Sequence, residues 1–524
     1  MYDFIIVGAG SAGCVLAARL TEDLRNRVLL LEAGGADKKQ EIRIPAAFSK
    51  LFHSDLDWDY LTEPEPQTGS RGRYWPRGKV LGGSSSMNAM MYVRGHPSDY
   101  DQWRQLGNAG WGFDELLPYF KKSETFGGEG GVPAFHGTSG PLHVSSQRSP
   151  NPLTEAFIAA GRHLGLNRVD DINGPTQDGI GLTHVTQRDG RRWSAADAFL
   201  KPAMKRPNLT VEANCLVHKV AVVGQKATGV VYERGGNITV AEAAREIILC
   251  AGAIGSPQIL MLSGVGPAGA LARHGISIVA DLPGVGQNLQ DHIASGVTLQ
   301  CKQPVTLANA ESFGNLARYL ILGRGPLTSN VGEALGFLRT REGLAAPDIE
   351  LIFAPAFFME HGAANPPGHG FTIGTILLRP ESRGSITLRS GDVRIHPSIR
   401  ANYLSTDTDI ATLLAGVHCA RRLAATPPFE PYRGDEIWPG AEKQTDEELT
   451  AFIREKVETL YHPVGTCKMG SDTMGVVDDQ LRVRGVAGLR VADASIMPTI
   501  IGGHTHAAAT MIGERVADFV RAGA

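Results

Sequence analysis

The sequence predicts an α/β fold, and two stretches carry most of that prediction. In the first, the apolar run Phe4 to Val7 stops at Gly8, and apolar residues then recur at helical spacing through Val15, Leu16 and Leu20. That reads as strand, tight turn and helix. In the second, Arg245 to Leu249 reads as a buried strand that runs into the small residues Cys250, Ala251 and Gly252 before a helix over Pro257 to Leu262. Short strands are expected at Leu209 to Val222 and Ala227 to Val231. From about Ala294 to Glu436 the pattern changes to apolar runs such as Ile349 to Ala354 and Gly370 to Leu378, set between aromatic and Pro-rich stretches. A second domain built on a sheet is expected there.

The opening stretch has the spacing of a dinucleotide fingerprint. Gly8 permits the turn, Gly10 leaves room for a pyrophosphate against the backbone, and Gly13 lets helix and strand approach closely. The helix N-terminus, with Ser11 and Ala12, offers N–H groups and a positive dipole to phosphate. A second apolar run, Val28 to Leu31, ends at Glu32 and Ala33, where a carboxylate can accept hydrogen bonds from ribose hydroxyls. An adenine dinucleotide is therefore expected, and the stretch alone leaves NAD and FAD both open.

Composition narrows the class. The 524 residues suffice for two or more domains, and 51 basic against 54 acidic side chains leave a net charge of −3, which argues against a nucleic-acid partner. Sixty-three glycines, dispersed among apolar runs, point to many tight turns and close backbone approaches. Cys14, Cys215, Cys250, Cys301, Cys419 and Cys467 are scattered without metal or disulfide spacing, so a reducing compartment and no metal site are expected. No apolar run has the length of a membrane span, and the first strand leaves no space for a signal peptide. A cytoplasmic protein is expected, with attachment to the inner face of the cell membrane left open.

Gly34 to Arg73 has weak periodicity and several prolines, and reads as a long connection laid over the first domain. It leads into Tyr74 to Gly95, where Gly82 and Gly83 precede Ser84, Ser85 and Ser86 and an apolar, helix-like stretch. This is a loop-to-helix entry rich in hydrogen-bond donors, able to face phosphates or simply to cap a helix.

Arg77 to Gly95 resembles the first signature of the glucose-methanol-choline (GMC) family of FAD-dependent oxidoreductases, and Gly252 to Gly266 resembles the second. Similar in order are Leu282 to His292, Tyr461 to Gly470 and Val491 to Pro498. The nearest resemblance is to the bacterial branch with choline dehydrogenase and alcohol dehydrogenases, to which Trp193 to Ala196 and Leu327 to Glu333 are also similar.

The resemblance implies a Rossmann-like FAD-binding domain with an inserted α+β substrate domain, an antiparallel sheet covered by helices. It implies FAD domain segments at 1–155 (with a cofactor loop at about 60–95), 209–293 and 451–524, and substrate domain segments at 156–208 and 294–450. FAD contacts are expected from the fingerprint residues above and from Trp75, Arg77, Val80, Gly82, Gly83, Ser84, Asn88, Ala89, Met90, Met91, Val217, Ala251, Gly252, Tyr461, Asp493, Ala494, His504, Thr505 and His506. Relatives that hold FAD covalently do so through a histidine where this chain has Met87, so non-covalent FAD is expected.

Oxidising an alcohol requires a proton to leave oxygen and a hydride to leave carbon, and the hydroxyl needs a base titrating near neutrality. The resemblance places that base at His462, with His504 as the hydrogen-bonding partner that orients the alcohol. Many relatives carry Asn at both positions occupied here by His504 and His506, so a pH response in the histidine range is expected. His506 is read as either a flavin-edge contact or a helix cap. Glu333, Phe353 and Tyr461 are expected near the substrate, with core packing the alternative for Phe353 and a loop or cap role for Glu333.

The activity implied is oxidation of an alcohol to aldehyde or ketone with electrons passed to a quinone-type acceptor. Its alternatives are an oxidase forming hydrogen peroxide from oxygen, and a hydroxynitrile lyase on the same fold. Partners beyond alcohol and acceptor are unspecified, as is the choice between monomer and homodimer.

Overall fold

The computed structural model describes residues 1–364 and 366–523. Tyr2–Val7 runs parallel between Val28–Leu31 on one side and the end of Asn237–Leu249 on the other, and Leu209–Glu212 continues the sheet past Val28–Leu31. Phe4 to Val7 and Val28 to Leu31 are buried throughout. Parallel strands covered on both faces read as unbroken apolar runs, and these do. Asn237–Leu249 serves two pairings: its beginning is antiparallel to Lys226–Arg234, which pairs in turn with Cys215–Val223, and its end is parallel to Leu489–Val491.

Two helices from opposite ends of the sequence cover this sheet together. Ser11–Leu20 crosses Thr505–Ala522 so closely that a Cβ at Gly513 would lie 2.8 Å from the Ala12 carbonyl oxygen. Beside the crossing, the buried Glu514 carboxylate accepts two 2.8 Å bonds from the Arg19 guanidinium.

The second sheet is antiparallel, in the order Arg433–Trp438, Ile293–Cys301, Gly370–Leu377, Ile349–Ala354, Ala334–Leu338, Gly179–Leu182. Asp407–Ala424 and Pro152–His163 pack on one of its faces. From the other face Ala294, Gly296, Thr298, Ile352, Ala354, Thr372, Gly374 and Ile376 line a cavity shared with the first sheet. The strand period of two explains the division, since alternate residues of each strand point to helix or to cavity.

Two local readings differ. The Gly34 to Arg73 connection contains a helical turn at Gln40–Arg43, 3₁₀ turns at Pro45–Leu51 and Pro66–Thr68, and a strand, Tyr60–Leu61, paired with Tyr74–Trp75. The serines occupy a 3₁₀ turn, Gly83–Ser86, but the apolar residues after it are not helical: Met90 has φ +56° and the chain from Met91 to Val93 is extended. Tertiary partners override the apolar pattern there, because Tyr92 N–H donates to the His184 carbonyl and His504 N–H to that of Val93.

Candidate active site

The cavity between the sheets encloses, mouth included, about 2680 Å³ of empty space. Part of its wall is built from glycine backbone. A Cβ at Gly13 would lie 1.9 Å from the Gly8 oxygen, and one at Gly83 would lie 2.7 Å from the Gly10 Cα, so neither position tolerates a side chain. A Cβ at Gly10 would instead meet only the Cys250 carbonyl oxygen, at 3.9 Å. That residue, with Gly8, Ser11 and Ala12, borders the cavity.

No side chain caps the helices starting at Ser11 and Thr505, so their first N–H groups are left for an anion. Glu32 Oε2 accepts the Ala9 N–H and Oε1 the Gly34 N–H, each at 2.8 Å, and burial raises its carboxyl to about 7. His506 Nδ1 contacts Ser11 Oγ at 2.8 Å, while its Nε2 is buried without a partner among the described residues. It lies in the first turn of its helix and caps nothing. Two uncapped helix starts, a glycine cradle and an orphaned ring nitrogen beside Ser11 suit the phosphates of a dinucleotide.

Two histidines of the cavity wall, His462 and His504, meet a third, His292, behind them. His462 Nδ1 lies 2.9 Å from His292 Nδ1, and the His462 ring is edge-on to that of His504 with centroids 4.8 Å apart. His292 Nε2 lies 3.1 Å from the Leu378 carbonyl oxygen, which can only accept. The His292 proton is therefore on Nε2 and its Nδ1 is a lone pair. His462 must donate to it from Nδ1–H, which leaves His462 Nε2 unprotonated and without a partner among the described residues. Burial lowers the His462 and His292 pKa values below the ordinary histidine value, that of His292 to about 3, and takes His506 to about 4. Desolvation thus favours the neutral form of these three rings.

The backbone around His462 is strained and held. Tyr461 has φ +67°, in the left-handed region, and its N–H donates to Thr459 Oγ1 at 2.7 Å. Buried Asp291 accepts from Thr459 Oγ1 at 2.5 Å, from the His462 N–H at 2.7 Å and from the Tyr403 hydroxyl. Arg77 clamps the Tyr461 carbonyl at 2.6 Å. On the other side His504 Nε2 pairs at 2.9 Å with Oε1 of Glu350, whose side chain is fully buried and whose Oε2 has no partner among the described residues.

His462, His504, Thr505, His506, Tyr461, Glu32, Ala33, Arg77, Gly83, Ser84, Asn88 to Met91, Val217, Ala251, Gly252, Asp493 and Ala494 all border the cavity. Several expected residues do not. Glu333 accepts from Asn151 N–H, Thr154 Oγ1 and Ser329 Oγ, which consume its carboxylate and tie a loop to a helix start. Phe353 points to the helix-covered face and stacks on Phe157 at 5.0 Å. Trp75 and Val80 are buried away from the cavity, Val80 against Ile42, Leu51 and Met87. Gly82, at φ +93°, acts through its N–H, which donates to the Ala9 carbonyl.

His292 and Glu350 were given no role from the sequence. Glu350 had a signal, as a lone carboxylate inside an apolar strand, which must be partnered when buried. His292 had none beyond its place in a quoted motif.

Two family models for GMC oxidoreductases, N-terminal and C-terminal, match residues 2–294 and 380–513. An oxygen-dependent choline dehydrogenase of Brucella ovis is 45% identical over 99% of this chain and 95% of its own length. The crystal structure of pyridoxine 4-oxidase from Mesorbium loti superposes with a TM-score of 0.90 at 35% identity, covering 99% of each chain. A variant of Aspergillus oryzae formate oxidase, solved to follow modification of its FAD, superposes with a TM-score of 0.93 at 29% identity over 100% of this chain and 98% of that one. The chain belongs to the GMC oxidoreductase family and is an FAD-dependent oxidoreductase acting on alcohol groups.

Proposed function

We propose that the protein oxidises an apolar or aromatic primary alcohol to its aldehyde, with His462 Nε2 taking the hydroxyl proton. The observation that carries this reading is the contact chain from the Leu378 carbonyl through His292 to His462 Nδ1, which favours the His462 tautomer with its lone pair on Nε2. His504, braced by Glu350, is the second ring against which the alcohol oxygen is held. FAD, when bound, supplies the hydride acceptor. Gly10, Ser11, Ala12 and Glu32 are proposed to hold its adenosine diphosphate half, and His506, Thr505 and Asn88 to Met91 its ring half. The uncapped start of Thr505–Ala522 favours negative charge beside it.

The substrate class rests on the cavity wall. Phe48, Phe52, Phe358, Met90, Ile352 and Ile376 line the cavity, and this apolar share of its wall is taken to favour apolar alcohols over polyols. Anaerobic mixing with benzylic, furanic, medium-chain and polyhydric alcohols and with choline tests it. Bleaching of the flavin by the first three classes and not by polyols is expected, and no bleaching by any alcohol overturns the reading.

The acceptor is proposed to be a quinone-type molecule. Oxygen is the second reading, favoured by the names of the relatives, which include an oxygen-dependent dehydrogenase and two oxidases. Oxygen uptake during turnover separates them. FAD is proposed to be non-covalent because Met87, buried among Ile42, Leu51, Leu56 and Val80, offers no nucleophile to the ring. Acid precipitation is expected to leave the yellow colour in the supernatant, and colour retained in the pellet overturns this.

A further inference from the structure

Gly374, in the middle of the strand Gly370–Leu377, has neither a conformational nor a packing reason among the described residues to be glycine. Its φ lies outside the left-handed region, and it is paired on both sides, with Gly296 of Ile293–Cys301 and with Ile352 of Ile349–Ala354. Chain neighbours apart, a Cβ built there would come no nearer than 3.7 Å to any atom, the Ile352 carbonyl oxygen and Ile376 Cδ1 being the first it meets. Glycine inside a strand weakens it and marks a place that another group approaches closely. Gly296 is the contrast: a Cβ there would lie 2.5 Å from the Ile373 carbonyl oxygen, so packing alone demands glycine.

The side chain that Gly374 lacks would point into the cavity. Thr372, Gly374 and Ile376 border it, whereas Thr375, on the other face, meets the helix Asp407–Ala424 at Gly416. A notch is therefore left against Ile352 and Ile376, the two side chains that the Cβ would approach. Its floor runs across two strands, because the partner Gly296 is bare as well. Neighbouring strands lie about 4.8 Å apart, which gives the floor the breadth of a flat ring. The notch is also close to the reacting end. Ile376 is the cross-strand partner of Glu350, which holds His504, and Gly374 lies two residues along the same face, roughly 7 Å away.

We infer that Gly374 sets the width of the alcohol site and makes ring-bearing alcohols its preferred substrates, the ring lying flat over Gly374 and Gly296 against Ile352 and Ile376. The inference rests on the proposed function for the identity of the reacting group. The shape of the notch does not depend on that chemistry, so the two can fail separately.

Titration of the purified FAD-loaded protein with benzamide, an unreactive ring ligand, tests the notch without turnover, binding being read from the flavin absorbance. Wild type is expected to bind it, Gly374→Ala to bind it a few-fold more weakly and Gly374→Val about tenfold or more weakly. Anaerobic bleaching gives the second readout. The preference for benzyl alcohol over 1-butanol, each taken as limiting rate over half-saturating concentration, should fall about tenfold or more in Gly374→Val. Neither variant should melt below wild type, since both side chains restrict the unfolded chain and valine suits a strand. Wild type that does not bind benzamide overturns the inference, as does a benzyl-to-butanol preference unchanged in Gly374→Val. Flavin loss or a lowered melting temperature in Gly374→Ala also overturns it, because the glycine would then be structural. Wild type bleached by no alcohol, with benzamide still excluded by Gly374→Val, would overturn the alcohol reading and uphold this one.

Discussion

Replacing His462 by alanine is expected to slow anaerobic bleaching of the flavin by alcohol about 10²–10⁴-fold, the usual contribution of a positioned general base. The side chain is the one proposed to meet the alcohol hydroxyl, and its backbone is fixed independently by Asp291 and Arg77, so the fold and the flavin content should survive its loss. Stopped-flow mixing under argon reads the bleaching rate, and the absorbance ratio of flavin to protein reads the content. A rate within a few fold of wild type at unchanged flavin content would move the base to His504. Restoration of the rate in the variant at high pH, where the alcohol loses its proton to solvent more readily, supports the assignment further.

Removing the acceptor behind that base should be nearly as damaging. His292 does not border the cavity and acts only by holding the His462 proton on Nδ1. In His292→Leu the neutral His462 has nothing to donate to at Nδ1, its proton is free to sit on Nε2, and the bleaching rate is expected to fall on the order of 10²-fold, as when an orienting partner is lost elsewhere. His292→Gln, whose side-chain carbonyl can accept the same bond, is expected to recover most of it.

The pH profile distinguishes this from mere damage. A base acts only while unprotonated, and burial lowers the His462 pKa, so protonation switches it off only at pH below the ordinary histidine range. Wild-type bleaching should therefore be level from about pH 6.5 upward and fall on the acid side, given an unperturbed histidine near 6.5. The His292→Leu defect is one of tautomer and should persist unchanged across that level region. A loss that vanished at alkaline pH would contradict the role given to His292.

What could be read from the sequence was what is local. The strand, turn and helix from Tyr2 to Leu20 announce themselves because Gly8, Gly10 and Gly13 act on neighbours in sequence, and the structure puts the close contacts at those residues. The strand Ile349–Ala354 was visible as an apolar run, but which of its faces meets the cavity depends on partners far along the chain, so Phe353 was left between pocket and core, where the structure puts it in the core, and Glu350 was passed over. Glu333 misled for the related reason that a lone carboxylate in a small-residue segment looks the same whether it meets a ligand or, as here, three donors from its own chain. His462 and His504 were identified through family resemblance. The proton bookkeeping behind the proposal that His462 is the base needed the geometry of His292 and Leu378.

The crossing of Ser11–Leu20 with Thr505–Ala522 also has a consequence for synthesis. The anion site needs both helix starts, and His506 reaches Ser11 across nearly the whole sequence. A nascent chain halted anywhere before this last helix has its first fingerprint translated but no completed cradle, and its first strand, paired on one side with Val28–Leu31, waits for Asn237–Leu249 on the other. Such long-range closures are slow. A product clipped before Thr505–Ala522 is therefore expected to bind no flavin, which its absorbance checks, because Ala12, Val15 and Leu16 lie buried in the helix that this segment covers.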